Sequence, residues 1–169
     1  MHQRTLMGME LKNKLESSIL DIYPLMPSSG AWPFTMIAIE RNALGSLILE
    51  KPILGSSFLL VLSREDFTDL DLMDYATNSK EYDTMSQDSR LDFLIAHKNK
   101  FGSTRLQEWA MRITSLGVGL VTGTAANRGL ELRAIEILPA QLDTQLGFDT
   151  AKLKTVQLFE VVEKSIPKQ

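Results

Sequence analysis

The sequence predicts a layered domain of the α+β or α/β class, and three observations lead to that prediction. Short apolar runs of strand length alternate with longer segments whose apolar residues recur at helical spacing. No internal repeat and no linker divides the 169 residues, so we expect one domain covering residues 1–169. A chain of this length should bury about 70% of its unfolded surface, which is enough for a core without cross-links.

The first half of the chain predicts two helices, two strands and a polar region. Apolar residues at helical spacing from Leu11 to Ile22 predict the first helix, which Pro24 ends. The next elements are a strand at Phe34–Ile39, a short helix at Arg41–Glu50 and a strand at Ser57–Leu62. The stretch Ser63–Ser89 is polar and acidic, and it predicts a short helix with a loop.

The second half predicts three helical segments and two strands. A first helical segment begins at Leu91. The longest helical candidate, Arg105–Ala126, follows it and ends near Gly129. The remaining elements are a strand at Leu130–Glu136, a helix from Pro139 through Leu142–Leu146 to Gly147, and a strand at Leu153–Val162.

Composition narrows the class of function. Cysteine is absent, which excludes disulfides and thiolate chemistry, and the cytoplasm is the expected compartment. The net charge of −3 and the scattered basic residues argue against nucleic acid as a partner. The N-terminal residues do not predict an export signal, and no apolar run is long enough to cross a membrane, so we expect no membrane partner. The only histidines, His2 and His97, lie too far apart to predict a histidine-based metal site.

Three features could carry chemistry, and each has an alternative structural interpretation. Ser28 and Ser29 lie in a Pro- and Gly-containing turn whose hydroxyls and amides could bind a planar polar ligand, or simply join a helix to a strand. Lys51 could stabilise an anionic ring system, or be solvated like most lysines. Glu136, at a strand end, could approach a ligand or face water.

A fourth feature is a helical face of small residues. Ser115, Gly119 and Gly123 recur at steps of four, which would let another backbone approach closely. The partner could be an internal helix or the same helix of a second subunit. The glycines between 117 and 123 do not have the spacing of a dinucleotide-binding motif, and no strand precedes a tight turn there.

The order of several short motifs resembles a known family. The motifs are Pro27-Ser28-Ser29 before Trp32-Pro33-Phe34, Glu108-Trp109-Ala110-Met111, Gly129-Leu130-Glu131, Ala134-Ile135-Glu136 and Leu146-Gly147-Phe148. Together they are similar to the nitroreductase family, in the branch of bacterial oxygen-insensitive NAD(P)H nitroreductases. The resemblance covers nearly the whole chain.

The resemblance implies an α+β fold with a central, mostly antiparallel sheet flanked by helices. It also implies a homodimer that packs through the long central helix and holds FMN at the interface. Hydride would pass from NAD(P)H through the flavin to a small-molecule substrate, a nitroaromatic compound or a quinone, with no catalytic side chain required. The implied FMN-binding residues are Arg4 and Thr5 at the phosphate, Ser28 and Ser29 beside the flavin, Lys51 at its N1 and O2 side, and the backbone of Ile135 and Glu136 near N5.

The chain departs from the family pattern at several of these places. Gln3 and Met7 stand where basic residues grip the FMN phosphate, and Ile137 stands where a glycine lets the backbone approach the ring. Two alternatives to an FMN reductase therefore stay open. One is a relative that binds another small ligand, or a flavin without a tight phosphate grip. The other is a non-enzymatic module that docks another protein through an edge strand or through Ser63–Ser89.

Overall fold

The computed structural model describes residues 2–26, 33–45, 53, 55–78 and 86–164, which contain four helices and four strands. The helices are α1 (His2–Ile22), α2 (Asp69–Asn78), α3 (Gln87–Asn127) and α4 (Pro139–Leu146). The strands are β1 (Phe34–Glu40), β2 (Ser57–Arg64), β3 (Leu130–Ile135) and β4 (Leu153–Glu163). Short 3₁₀ helices at Tyr23–Leu25 and Arg41–Leu44 follow α1 and β1.

The strands form one sheet in the order β1-β2-β4-β3, and each neighbouring pair is antiparallel. β2 lies in the interior of the sheet with helices on both faces, which explains why Phe58–Leu62 is a continuous apolar run rather than an alternating one. A register shift between Val61 and Leu62 marks a bulge against β4. The predicted α+β class with an antiparallel sheet is confirmed.

Each face of the sheet is covered by a different hydrophobic cluster. α1 and α3 cover one face, where the cluster includes Leu15, Ile22, Phe34, Leu59, Val61, Ile113, Val121 and Val161. α4 and the second 3₁₀ helix cover the other face, where the cluster includes Leu44, Ile53, Phe58, Leu60, Leu62, Leu142 and Leu158. None of the helices in the described ranges is both long and apolar enough to cross a membrane.

α3 consists of two segments that meet at Gly102, whose φ of 70° and ψ of −174° favour glycine. Residues 87–101 pack against α2, and the third cluster contains Phe67, Leu72 and Leu94 together with Leu106 and Ala110 from the turns after Gly102. The sequence predicted two helical segments here, and the structure confirms both.

Several element boundaries differ from the prediction. α1 begins at His2 rather than near Leu11, because its first residues allow a helix without showing an apolar stripe. The predicted helix at Arg41–Glu50 is a 3₁₀ turn that stops at Leu44, since Gly45 takes a φ of 58°; residues 46–50 lie outside the described ranges. β3 ends at Ile135, which leaves Glu136 just beyond the strand.

Candidate functional site

The predicted site residues fall into three groups in the structure. Ser28, Ser29 and Lys51 lie outside the described residues. Arg4 and Thr5 lie near the start of α1, where only their helical backbone is described. Ile135 is the last residue of β3, and Glu136 follows it with an exposed side chain. The assignment of these seven residues to a site remains a prediction.

The start of α1 lies against the start of β2. The Ser57 hydroxyl donates a hydrogen bond of 3.2 Å to the carbonyl oxygen of Gly8, and a Cβ at Gly8 would lie 3.6 Å from Ser56 Oγ. An ion pair of 3.8 Å between Lys12 Nζ and Glu40 Oε1 links the next turn of α1 to the end of β1. The helical turn after Arg4 and Thr5 is therefore fixed at this end of the sheet.

The segment that enters β2 is fixed at the same end. The N–H of Gly55 donates a hydrogen bond to Glu160 Oε1 on β4, and Arg41 Nη1 donates one of 3.3 Å to the Gly55 carbonyl. A Cβ at Gly55 would lie 2.7 Å from Glu160 Cγ, so a larger residue here would displace the Glu160 side chain. Ile53, two residues after Lys51, is buried in the cluster that also contacts Ile135.

The end of β3 lies beside the middle of β4. The ladder between the two strands ends at the pair Ile135 and Leu158, while β4 extends to Leu153. The Gln157 side chain donates hydrogen bonds of 3.1 Å to the carbonyl oxygens of Ile135 and Leu158. Sequence reasoning missed Gln157, because a glutamine in an apolar strand gives no signal of its partner.

A buried carboxylate holds the next part of the chain. Asp143 on α4 is 3% exposed, and its Oδ1 accepts hydrogen bonds from the N–H of Thr155, at 3.0 Å, and from the Thr155 hydroxyl. With Gln157, this contact attaches both ends of residues 135–143 to β4. The segment between the two attachments carries Glu136 and the exposed Leu138.

An exposed ion pair lies on β3. Arg133 Nε donates a hydrogen bond of 3.0 Å to Glu131 Oε1. That hydrogen bond and the attraction between the charges lower the pKa of Glu131 and raise the pKa of Arg133. β3 is an edge strand, and charges along an edge disfavour pairing with a further strand. This observation disfavours the edge of β3 as a docking strand for another protein.

The two sides of α3 are built differently. A Cβ at Gly117 would lie 2.7 Å from Phe34 Cζ, so glycine at this position lets α3 approach β1. On the other side, a Cβ built at Gly119 or Gly123 would have no described atom within 4 Å apart from its chain neighbours and the backbone of its own helix. The small-residue face therefore points away from the described protein, and the alternative of an internal partner helix finds no support.

Nothing in the described residues forms a metal centre. No group of three or more His, Asp or Glu side chains there has the geometry to hold a metal ion. Within the described residues, the predicted site therefore depends on the exit of β3, the entry to β2 and the start of α1.

Comparisons with known proteins found similarity in structure but not in sequence. No protein-family model matches the chain, and no curated protein matches its sequence. Three similar solved structures are a protein from Exiguobacterium sibiricum described as a nitroreductase in complex with FMN, an NAD(P)H:FMN oxidoreductase from Staphylococcus epidermidis, and an enone reductase of gut-bacterial fatty acid saturation.

The likeness extends over most of each chain. The Exiguobacterium protein is 16% identical with a TM-score of 0.67, over 91% of this chain and 80% of its own. The Staphylococcus protein is 11% identical with a TM-score of 0.63, over 93% and 78%. The enone reductase is 12% identical with a TM-score of 0.62, over 95% and 80%. The fold implied by the sequence motifs is therefore confirmed: the chain has the nitroreductase fold.

Proposed function

We propose that the protein is an FMN-dependent oxidoreductase that uses NAD(P)H to reduce a nitroaromatic compound or a quinone. It would act as a homodimer of single 169-residue domains in the cytoplasm. The observation that supports this most strongly is the fold, which covers at least 91% of this chain in proteins described as flavin-containing or as reductases. Because the enone reductase shares this fold as well, the choice of substrate rests on the sequence resemblance.

The exit of β3 fits a flavin in one respect that the sequence left open. Ile137 replaces a family glycine, and a side chain there could block the approach of a ring. In the structure, Ile137 is half-buried and packs against the cluster beneath α4. The core therefore accommodates this side chain, so Ile137 need not block a planar ligand from the backbone of Ile135 and Glu136.

The bound flavin would supply the redox chemistry by accepting hydride from NAD(P)H and giving it to the substrate. The protein would bind and orient it. The backbone at Ile135 and Glu136 would approach the ring edge, and Lys51 would place a cation near the pyrimidine side. Ser28 and Ser29 would border the ring, while Arg4 and Thr5 would contact the phosphate. No side chain need transfer a proton or form a covalent bond.

The outward side of α3 supports self-association. Gly119 and Gly123 lie open, and two exposed apolar neighbours, Met111 and Leu116, are 40% and 45% exposed. Leu20 on the adjacent α1 is 62% exposed. A second copy of this face would cover the apolar side chains, and the glycines would let the helices pack closely.

Flavin binding tests the proposal directly. FMN should bind the purified protein with a Kd of about 1 µM or tighter. Binding should quench the flavin fluorescence and give a yellow protein. NADH or NADPH should then be oxidised over many turnovers when menadione or a nitroaromatic acceptor is supplied to reoxidise the flavin. Absence of binding at tens of micromolar FMN would contradict the proposal.

A comparison of FMN with riboflavin tests the phosphate grip. A hydrogen bond to a charged group contributes about 1.5 to 3 kcal/mol, so FMN should bind at least tenfold more tightly if Arg4 and Thr5 contact the phosphate. Equal affinities would favour a flavin site that does not use the phosphate, as the replacements at Gln3 and Met7 suggest.

The oligomeric state is tested by Gly119→Leu, which adds a large side chain to the open face of α3. Sedimentation should show a dimer for the wild type and a monomer for the variant, with little change in the far-UV spectrum. Thr144→Leu is the matched control, because Thr144 is exposed on α4 on the opposite side of the sheet. A dimer that survives Gly119→Leu would contradict the proposed interface.

A further inference from the structure

One side chain holds the exit of β3. The Gln157 amide nitrogen lies 3.1 Å from the Ile135 carbonyl oxygen and 3.1 Å from the Leu158 carbonyl oxygen. Both partners are acceptors, so only the NH₂ end of the side chain can serve them, and its two hydrogens match the two carbonyls. The orientation of the amide is therefore fixed by its surroundings. Gln157 is also half-buried, which limits competition from water.

The contact lies where the strand ladder stops. Ile135 and Leu158 form the last pair of β3 and β4, and Gln157 is the next residue of β4 beyond that pair. Beyond this point no strand of the described chain accompanies β4 on that side. The side chain of Gln157 thus continues the hydrogen bonding of the sheet by one position, onto the peptide group that leaves it.

Fixing the Ile135 carbonyl also fixes the direction of a hydrogen-bond donor, the N–H of Glu136. The carbonyl of Ile135 and the N–H of Glu136 belong to one planar trans peptide group, and they point in opposite directions. A side chain that fixes the carbonyl on the β4 side therefore fixes the N–H on the side away from it. The contact between Asp143 and Thr155 fixes the other end of the segment but leaves this peptide group unaffected.

We propose that Gln157 is a positioning residue that aims the N–H of Glu136 at the bound flavin ring. This inference rests on the proposed function, and it adds a residue that neither the fold nor the sequence motifs assign. Gln157 does not touch the flavin; it acts through the peptide group between residues 135 and 136. A donor fixed at the ring edge would tighten binding and tune the reduction potential of the flavin.

The test compares Gln157→Leu with Gln157→Asn, which keeps the amide but withdraws it by one methylene. Both variants should weaken FMN binding about fivefold to tenfold, as expected for one lost hydrogen bond, and both should shift the reduction potential and the visible spectrum of the flavin. Thr155→Val is the matched control, because it removes the hydroxyl hydrogen bond to Asp143 and so loosens the α4 end of the same segment, while the hydrogen bond from the Thr155 N–H remains. This variant should lower the melting temperature and leave the flavin spectrum unchanged.

A second measurement does not depend on flavin. In the protein without ligand, the order parameter of the Glu136 N–H vector should be about 0.85 in the wild type and below about 0.6 in both Gln157 variants. If the wild type fails to bind FMN, the proposed function fails, and this measurement alone decides whether Gln157 orients the peptide group. An unchanged order parameter in both variants would overturn the inference. So would flavin effects of the same size in Thr155→Val.

Discussion

The two segments of α3 are attached to the protein in different ways. Residues 113–127 pack on the main core, where Ile113, Val121 and Ala125 join α1 and the sheet. Residues 87–101 contact α2, and Leu94 is the one side chain of this segment that the structure describes as buried. α3 therefore belongs to two packing units, which should open with different free energies. The inner unit is residues 113–127 on the main core, and the outer unit is α2 with residues 87–101 and the turns at Leu106 and Ala110.

Polar contacts hold the outer unit at its edges. Lys98 Nζ lies 2.8 Å from Asp69 Oδ1, which joins α3 to α2, and Arg64 Nη1 lies 2.6 Å from Asp71 Oδ1, which joins α2 to the end of β2. Exposed pairs of this kind contribute about 1 kcal/mol or less each. Leu70 on α2 is 70% exposed, so this apolar side chain adds little to the packing of the outer unit.

The largest difference should come from a truncation in the inner unit. Ile113→Ala should lower the free energy of unfolding by about 4 kcal/mol, near the upper end for such changes, because the main core is too tightly bounded to collapse around the cavity. Urea unfolding followed by circular dichroism measures this loss. A loss below about 1.5 kcal/mol would show that residues 113–127 are not part of the main core.

A matched truncation in the outer unit should cost less. Leu94→Ala should lower the free energy of unfolding by about 2 kcal/mol, because the cluster around Leu72 is small and can relax toward the cavity. Hydrogen exchange should accelerate in α2 and residues 87–101 more than in residues 113–127, which pack in the main core. Uniform acceleration along α3 would contradict the division into two packing units.

A smaller change in stability should distinguish the side of the inner unit that faces β1 from the side that faces solvent. In Gly117→Ala, the added methyl would meet the ring of Phe34, which is 4% exposed and has little room to move. Overpacking costs about 1 to 3 kcal/mol and helix propensity returns up to about 1, so we expect a net loss of about 1 kcal/mol. Thr122→Ala, on the exposed side, should change stability by less than about 0.5 kcal/mol. A more stable Gly117→Ala protein would contradict the close contact with β1.

Gly117 also shows where sequence reasoning reaches its limit. Apolar periodicity and the stop signals at Pro24, Gly129 and Gly147 predicted the order and type of the regular elements, because those signals are local. The small-residue pattern of α3 was visible too. Which glycine faces a neighbour was not, since that depends on the position of Phe34 in a strand about 80 residues away.

Less of the candidate site than of the fold could be predicted, because sequence signals are local and the site depends on contacts between distant residues. The motif at Ala134-Ile135-Glu136 located the exit of β3, but not the residues that hold it. Gln157 and Asp143 act through contacts across 22 and 12 residues of sequence, and neither belongs to a local pattern. The roles of Ser28, Ser29 and Lys51 remain predictions, because these residues lie outside the described ranges.

The smallest expected effect concerns pH and the start of α2. Thr68 and Asp71 form a reciprocal cap: Asp71 Oδ2 accepts hydrogen bonds of 2.9 and 2.8 Å from the Thr68 N–H and hydroxyl, and the Asp71 N–H donates one of 3.2 Å to Thr68 Oγ1. Partial burial opposes the charge of Asp71, but the hydrogen bonds from Thr68 and the pair with Arg64 outweigh it and lower its pKa.

A lowered pKa in the folded state means that Asp71 contributes stability above its unfolded pKa, about 3.9, and loses it as the pH falls through the folded value. Asp71→Asn should therefore be less stable than the wild type at pH 7, by about 0.5 to 1 kcal/mol. The difference should shrink as the pH falls below about 4, because the unfolded chain takes up a proton at Asp71 there and the folded protein does so only at a lower pH. Urea unfolding of both proteins at pH 7 and pH 3 measures it, with hydrogen exchange locating the loss in α2 and residues 87–101. A difference that is the same at both pH values would show that the charge of Asp71 does not hold the outer unit in place.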